Sequence, residues 1–97
     1  MSLNIQHAES GNKGLFFIGT EAAPDAALTY TKAGDELLIL DHTEVGDSLR
    51  GQGAGVAMVE TAVAYARAHA KKIMPLCPFA RSVFQKREDL RDVLRGG

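Results

Sequence analysis

Leu49-Arg50-Gly51-Gln52-Gly53-Ala54-Gly55-Val56 is the segment that sets the reading of this 97-residue chain. Three glycines alternate there with polar or small residues. A packed core gains nothing from glycine at every second position, whereas a backbone that turns sharply or must be approached closely needs it. From Gln52 to about Ala70 the pattern is helical. Val56, Val59, Val63 and Ala66 recur at spacings of three and four, with Met58 and Tyr65 flanking the stripe. Alanine is abundant, and it favours helix most. A helix that starts at this junction leaves its first N–H groups without partners, pointing into the gap that the glycines keep open. That geometry attracts phosphate.

Upstream, the sequence reads as strands. Leu3 to Ala8 alternates apolar and polar residues, Gly11-Asn12-Lys13-Gly14 signals a turn, and Leu15 to Gly19 completes a hairpin. A loop around Pro24 (Glu21–Asp25) leads to a third alternating stretch, Ala27 to Lys32. Ala33-Gly34-Asp35 turns the chain into Glu36–Val45, which is long enough to be the central strand. Downstream, Arg67, His69, Lys71 and Lys72 gather where the dipole of the long helix favours positive charge. Lys72-Ile73-Met74-Pro75-Leu76 reads as a strand returning parallel to Glu36–Val45 through a right-handed crossover. Pro78, suited to a first helical position, opens a second helix to about Lys86 with Phe79 and Val83 on one face. Glu88 to Arg95 forms an amphipathic tail with Leu90, Val93 and Leu94 inward, and Gly96-Gly97 is expected to fray. The fold class is α+β, an α/β sandwich in one domain over residues 1–97.

Composition narrows the function. A formal net charge of −1 argues against a general nucleic-acid binder. The charge is uneven: residues 1–66 carry three basic and nine acidic side chains, residues 67–97 eight and three. One surface suited to cations and another to anions would follow, as would simple solvation of two faces. Cys77 is the one cysteine, so no intramolecular disulfide forms, which fits a reducing compartment and a cytoplasmic location. No apolar run is long enough to span a membrane and no secretory signal is evident. The three histidines and Cys77 lack metal-ligand spacing, so no metal is expected.

Two glycine-loop readings fail. A P-loop needs lysine and then serine or threonine after its last glycine, and Val56-Ala57 stands there. A dinucleotide fingerprint started at Gly51 puts Ala54 where a glycine belongs, and that motif sits in a unit with several crossovers, not one. What remains is a pyrophosphate loop fed by an antiparallel sheet. Arg50-Gly51-Gln52-Gly53-Ala54-Gly55 resembles the signature of the GCN5-related N-acetyltransferases: Arg or Gln, two residues, Gly, one residue, then Gly or Ala. His42-Thr43-Glu44-Val45 before it and Pro75-Leu76-Cys77-Pro78-Phe79 after it are similar to the small stand-alone branch of that superfamily.

The resemblance implies a minimal version of that fold: a mostly antiparallel mixed sheet, splayed central parallel strands and the main helix after the glycine loop. It implies acetyl-CoA as cosubstrate, with pyrophosphate on the amides of Arg50, Gly51, Gln52, Gly53, Ala54, Gly55 and Val56. The pantetheine arm would lie between the splayed strands, pairing near Glu44 and Val45. The basic last third suits the remaining phosphate, with Arg81 and Lys86 as candidates; a solvated helix face is the plain alternative for Arg81. Larger relatives carry a tyrosine that protonates the leaving thiolate. Aligned on Ala80, this chain has Phe84 there, which has no ionisable group, and Cys77 where those relatives have Asn. Extra C-terminal strands are also missing, so an open acceptor site could be completed by a partner protein or a second copy.

Three residues are catalytic candidates. Cys77, at a helix N-cap where the dipole lowers a thiol pKa, is a nucleophile, a proton donor to the thiolate, or an inert buried cysteine. Glu44 is a base for an amine or an outward strand carboxylate. His42 lies two residues earlier, on the same face of a regular strand, giving a proton path or a solubilising pair. His7 and His69 read as structural or solvated. The expected function is acetyl transfer to an amine of a small molecule or protein. The alternative is a regulatory module that binds acetyl-CoA or CoA with little turnover.

Overall fold

In the computed structural model, which describes residues 3–95, the elements follow the order β1 (Gln6–Ser10), β2 (Lys13–Gly19), β3 (Pro24–Ala33), β4 (Leu37–Val45), α1 (Ala54–Ala68), β5 (Lys72–Pro75) and α2 (Pro78–Lys86). Short 3-10 turns cover Asp47–Leu49 and Glu88–Val93. The expected fraying of Gly96-Gly97 lies outside the described residues.

The sheet runs in sequence order, β1-β2-β3-β4-β5. The first three pairings are antiparallel and β4–β5 is parallel. The long strand expected at the centre is therefore second from the edge, and β3 is central. Gly11 (φ 61°) and Asn12 close the first hairpin between the paired Ser10 and Lys13. Gly14 belongs to β2, not to the turn, and is glycine because a Cβ there would run into the ring of the fully buried Tyr30. Leu3 and Ile5 precede β1 as chain packed against the core.

The core lies between one sheet face and the helices. Phe16, Ile18, Ala26, Leu28, Tyr30, Leu38, Leu40 and Ile73 meet Met58, Val59, Ala62, Val63 and Ala66 of α1 and Ala80, Val83 and Phe84 of α2. Two expected positions differ. Val56 is only half-buried while Met58 is fully buried, because at about 100° per residue Met58 falls nearer the middle of the Gly55–Val59–Ala62–Ala66 stripe. Phe79 is 39% exposed, and Ala80, Val83 and Phe84 form the inner face of α2. In the tail, Leu90 and Val93 are buried as expected, and Leu94 forms a parallel bridge to Ile73 at the outer edge of β5.

All the helices share that one core, so the other sheet face carries none. Alternation and register place Ala8, Leu15, Phe17, Ala27, Thr29 and Ile39 on it. Phe17 is buried yet stands apart from the helix-side core cluster.

Candidate functional site

β4 and β5 pair from Leu37↔Lys72 to Leu40↔Pro75 and then part. At the fork the amides of Leu76 and Cys77 both donate to the Leu40 carbonyl, at 3.0 and 3.2 Å. Beyond it β4 runs on to Val45 with no β5 partner, while the other chain turns into α2. The slot between splayed strands is thus present, at the end of the sheet that faces the glycine loop.

The loop comes next. Gly51 (φ 79°) and Gly53 (φ 74°) hold left-handed conformations that other residues adopt at a cost of roughly 1–2 kcal/mol. A Cβ at either would meet nothing within 4 Å, so open space lies beside both. Gly55 is different. It is helical, and a Cβ there would stand 2.6 Å from the Phe79 ring that lies over it. Val45, Leu49, Arg50, Gly51, Gly53, Ala54, Gly55, Val56 and Phe79 surround a depression of about 270 Å³.

The amides divide into two groups. Arg50 N–H donates to the Asp47 carbonyl and Gln52 N–H to that of Leu49, so these two of the expected phosphate donors are already used. Among the described residues, the amides of Gly51, Gly53, Ala54, Gly55 and Val56 meet no acceptor outside α1, and Gly53 caps α1 with no side-chain bond. The Arg50 guanidinium pairs with Asp47 at 3.0 Å, both side chains well exposed, and Gln52 Nε2 donates to the Ser48 carbonyl. The cradle is therefore backbone in character and fits a diphosphate.

Arg81 and Lys86, expected at the remaining phosphate, lie away from this cradle. Arg81 Nε donates to the Pro75 carbonyl and its side chain lines a separate hollow with Phe84 and Leu94. Lys86 ends α2, far from the N-terminus that abuts the cradle. Most of the basic surplus is engaged within the fold. Arg67 binds Asp92, Arg87 binds Glu60 and Asp89, Lys71 and Lys72 donate to the carbonyls of Asp35 and Asp92, and Arg91 donates to carbonyls of Phe84 and Gln85.

The catalytic candidates fall into two places. Cys77 is 4% exposed, caps the N-terminus of α2, and lies 3.1 Å from Thr43 Oγ1 across the slot. Burial pushes its thiol up, but the Thr43 hydroxyl and the amides of Ala80 and Phe79 outweigh that and hold it below the ordinary thiol value. Nothing in the sequence alone singles out Thr43. His42 Nε2 and Glu44 Oε1 do meet, at 3.1 Å, with side chains 65% and 76% exposed. They project away from Cys77. Thr29 pairs with His42 and Tyr30 with Leu40, so Asp41 is an extra residue in β4. This bulge reverses the alternation after Leu40, turning Thr43 and Val45 toward the helices and His42 and Glu44 to the helix-free face. Phe84, in the place of the missing tyrosine, is 3% exposed and packed in the core.

Comparison with known proteins agrees with this geometry. The family model described as GCN5-related N-acetyl-transferase matches residues 16–93. The chain belongs to the GCN5-related N-acetyltransferase family. Among solved structures, this acetyltransferase is similar to a GCN5-like protein from Staphylococcus aureus determined by NMR: 34% identity, 98% of this chain and 90% of that one covered, TM-score 0.74. It also shares its fold with the ribosomal-protein-alanine N-acetyltransferase of Brucella melitensis biovar Abortus 2308, at 13% identity and TM-score 0.63, over 79% of this chain and 62% of that one. No curated protein matches the chain. Members of the family use acetyl-CoA and an acceptor. The expected mixed five-stranded sheet with its helices is that family's fold. Among the described residues no three His, Cys, Asp or Glu side chains group to hold a metal.

Proposed function

We propose that this acetyltransferase moves the acetyl group of acetyl-CoA to an amine. The observation that carries the reading is the set of unpaired amides, Gly51 and Gly53 to Val56, around an open cradle beside the β4–β5 slot. Five fixed N–H groups at the positive end of a 15-residue helix favour a diphosphate without needing a cationic side chain. Acetyl-CoA supplies the activated acyl carbon. Val45 borders both cradle and slot, and its unpaired backbone edge can orient an extended ligand. The His42–Glu44 pair takes the proton that the amine nitrogen loses as its bond to the acyl carbon forms and the carbon–sulfur bond breaks. Cys77, its thiolate favoured by Thr43 and the opening amides of α2, either accepts the acyl group or meets the departing sulfur on this reading. The single free thiol suits a reducing, cytoplasmic setting.

A second reading rests on Phe84, whose buried ring leaves no ionisable group where a proton donor is needed. On that reading the chain binds acetyl-CoA and regulates a partner protein. Two measurements separate them. Acetyl-CoA at about 100 times its dissociation constant should stabilise the fold by roughly 2.7 kcal/mol in a thermal shift experiment. Release of free CoA thiol with mixed amines should then fall in Glu44→Gln. Stabilisation without thiol release supports the regulatory reading, and no stabilisation overturns both.

A further inference from the structure

The helix-free face of the sheet holds a second depression, about 440 Å³, bordered by Ala8, Leu15, Thr29, Lys13, Glu21 and Asp41. We propose that this depression holds the amine acceptor, an aliphatic chain with two amino groups, one of them bound as a cation by Glu21 and Asp41. The proposal rests on the acetyl-transfer reading above and adds the acceptor's chemistry and its direction of approach.

Access comes first. The slot beyond Leu40 is flanked on the helix side by the Cys77–Thr43 contact and by Phe79. The glycine cradle lies on that side as well. The remaining approach is from the face without helices. Asp41 is the bulged residue that follows Leu40, the last β4 residue paired to β5, so the depression ends where the strands begin to part. The same bulge sends His42 and Glu44 to this face, where an incoming amine would lose its proton.

Charge and shape come second. Among the described residues Glu21 has no ion pair or hydrogen bond, and Asp41 accepts only from the Thr31 hydroxyl, at 2.6 Å. Lys13, on the rim, donates to the same hydroxyl at 2.8 Å. Glu9 is neutralised by Lys32. Two carboxylates outside any ion pair, over a floor that includes Leu15, Ala8 and Thr29, match a cationic head on an aliphatic chain, and they repel the phosphates of the cosubstrate.

The test uses the whole chain saturated with CoA, titrated with diaminobutane and followed by backbone amide chemical shifts. Shifts at Leu15, Thr29 and Asp41 are expected. Glu21→Gln and Asp41→Asn should each weaken binding about threefold to fivefold, and Asp35→Asn, in the distant Gly34 turn, should not. Butanediol, equal in length and uncharged, should leave the same amides unmoved. Response to butanediol, equal sensitivity to Asp35→Asn, or shifts confined to other regions overturns the proposal. So does concentration-dependent broadening of the same amides without ligand, which would assign the face to a second copy. Failure of the acetyl-transfer reading shows separately, as no response of Gly51–Gly55 to CoA; diaminobutane titrated into the free protein then still decides the cavity.

Discussion

Glycine does three different jobs here, and the same substitution should separate them. At Gly14 a methyl group would run into the ring of Tyr30, which is fully buried and cannot yield. Gly14→Ala should cost about 1–3 kcal/mol or more, measured by chemical denaturation. At Gly55 the obstructing ring is Phe79, which is partly exposed and free to swing, and alanine gains about 1 kcal/mol of helix propensity. Gly55→Ala should therefore stay within about 1 kcal/mol of wild type while weakening acetyl-CoA binding, read by calorimetry. At Gly51 and Gly53 the constraint is the backbone angle alone. Thr43 is a different kind of residue. Its hydroxyl holds the Cys77 thiol down, so Thr43→Val should raise the pH at which thiolate absorbance appears. An unmoved titration would show that Thr43 does not set the acidity of Cys77. These roles were unequally legible in the chain. Three alternating glycines announce a loop, but which of them is conformational and which makes room depends on a ring contributed by a distant residue.

Between elements, what the sequence conveys is period and punctuation. The bounds of α2 follow from Pro78 and the apolar spacing, and β5 follows from a short apolar run after a basic helix end. The rank of β4 in the sheet does not, because strand length says nothing of what lies on either side. The bulge at Asp41 is equally silent. It is a relation between β3 and β4, and regular alternation predicts the opposite face for His42 and Glu44. Removing Asp41 should close the bulge while leaving Leu40 opposite Tyr30 and His42 opposite Thr29, so His42 and Glu44 keep to the helix-free face, which the nuclear Overhauser contacts of His42 with Thr29 would check. The place of Val56 in α1 is hidden for a similar reason: Val56 and Met58 are both apolar, and only the sheet beneath selects between them.

Over the whole molecule, stability should depend on pH through the edge where β1 meets α1. His7 stacks on Phe16 at 4.3 Å, contacts the Tyr30 hydroxyl and lies edge-on to Tyr65. Burial, then Lys32 and His69, lower its pKa against the pull of Glu9. A base whose folded pKa lies below its unfolded 6.5 takes up fewer protons when folded. Its contribution is thus complete above that value and shrinks as pH falls below it. Denaturation midpoints should drop as pH is lowered from 7 toward 5, and His7→Gln should flatten the slope; an unchanged slope in the variant would assign the dependence to other groups. The division of charge along the chain reads differently at this scale too. The basic last third fastens the tail to α1, α2 and β5 and offers little to an outside anion.

One carbonyl oxygen, that of Leu40, receives two successive amides at the point where the strands diverge. Both protons are then shielded by a single acceptor, and loosening that peptide releases them together. Hydrogen–deuterium exchange should show Leu76 and Cys77 with matched protection, and a ligand wedged into the gap should slow both in step. The gap therefore begins at one backbone atom, a place where the breadth of cargo could be tuned without altering any side chain that touches it.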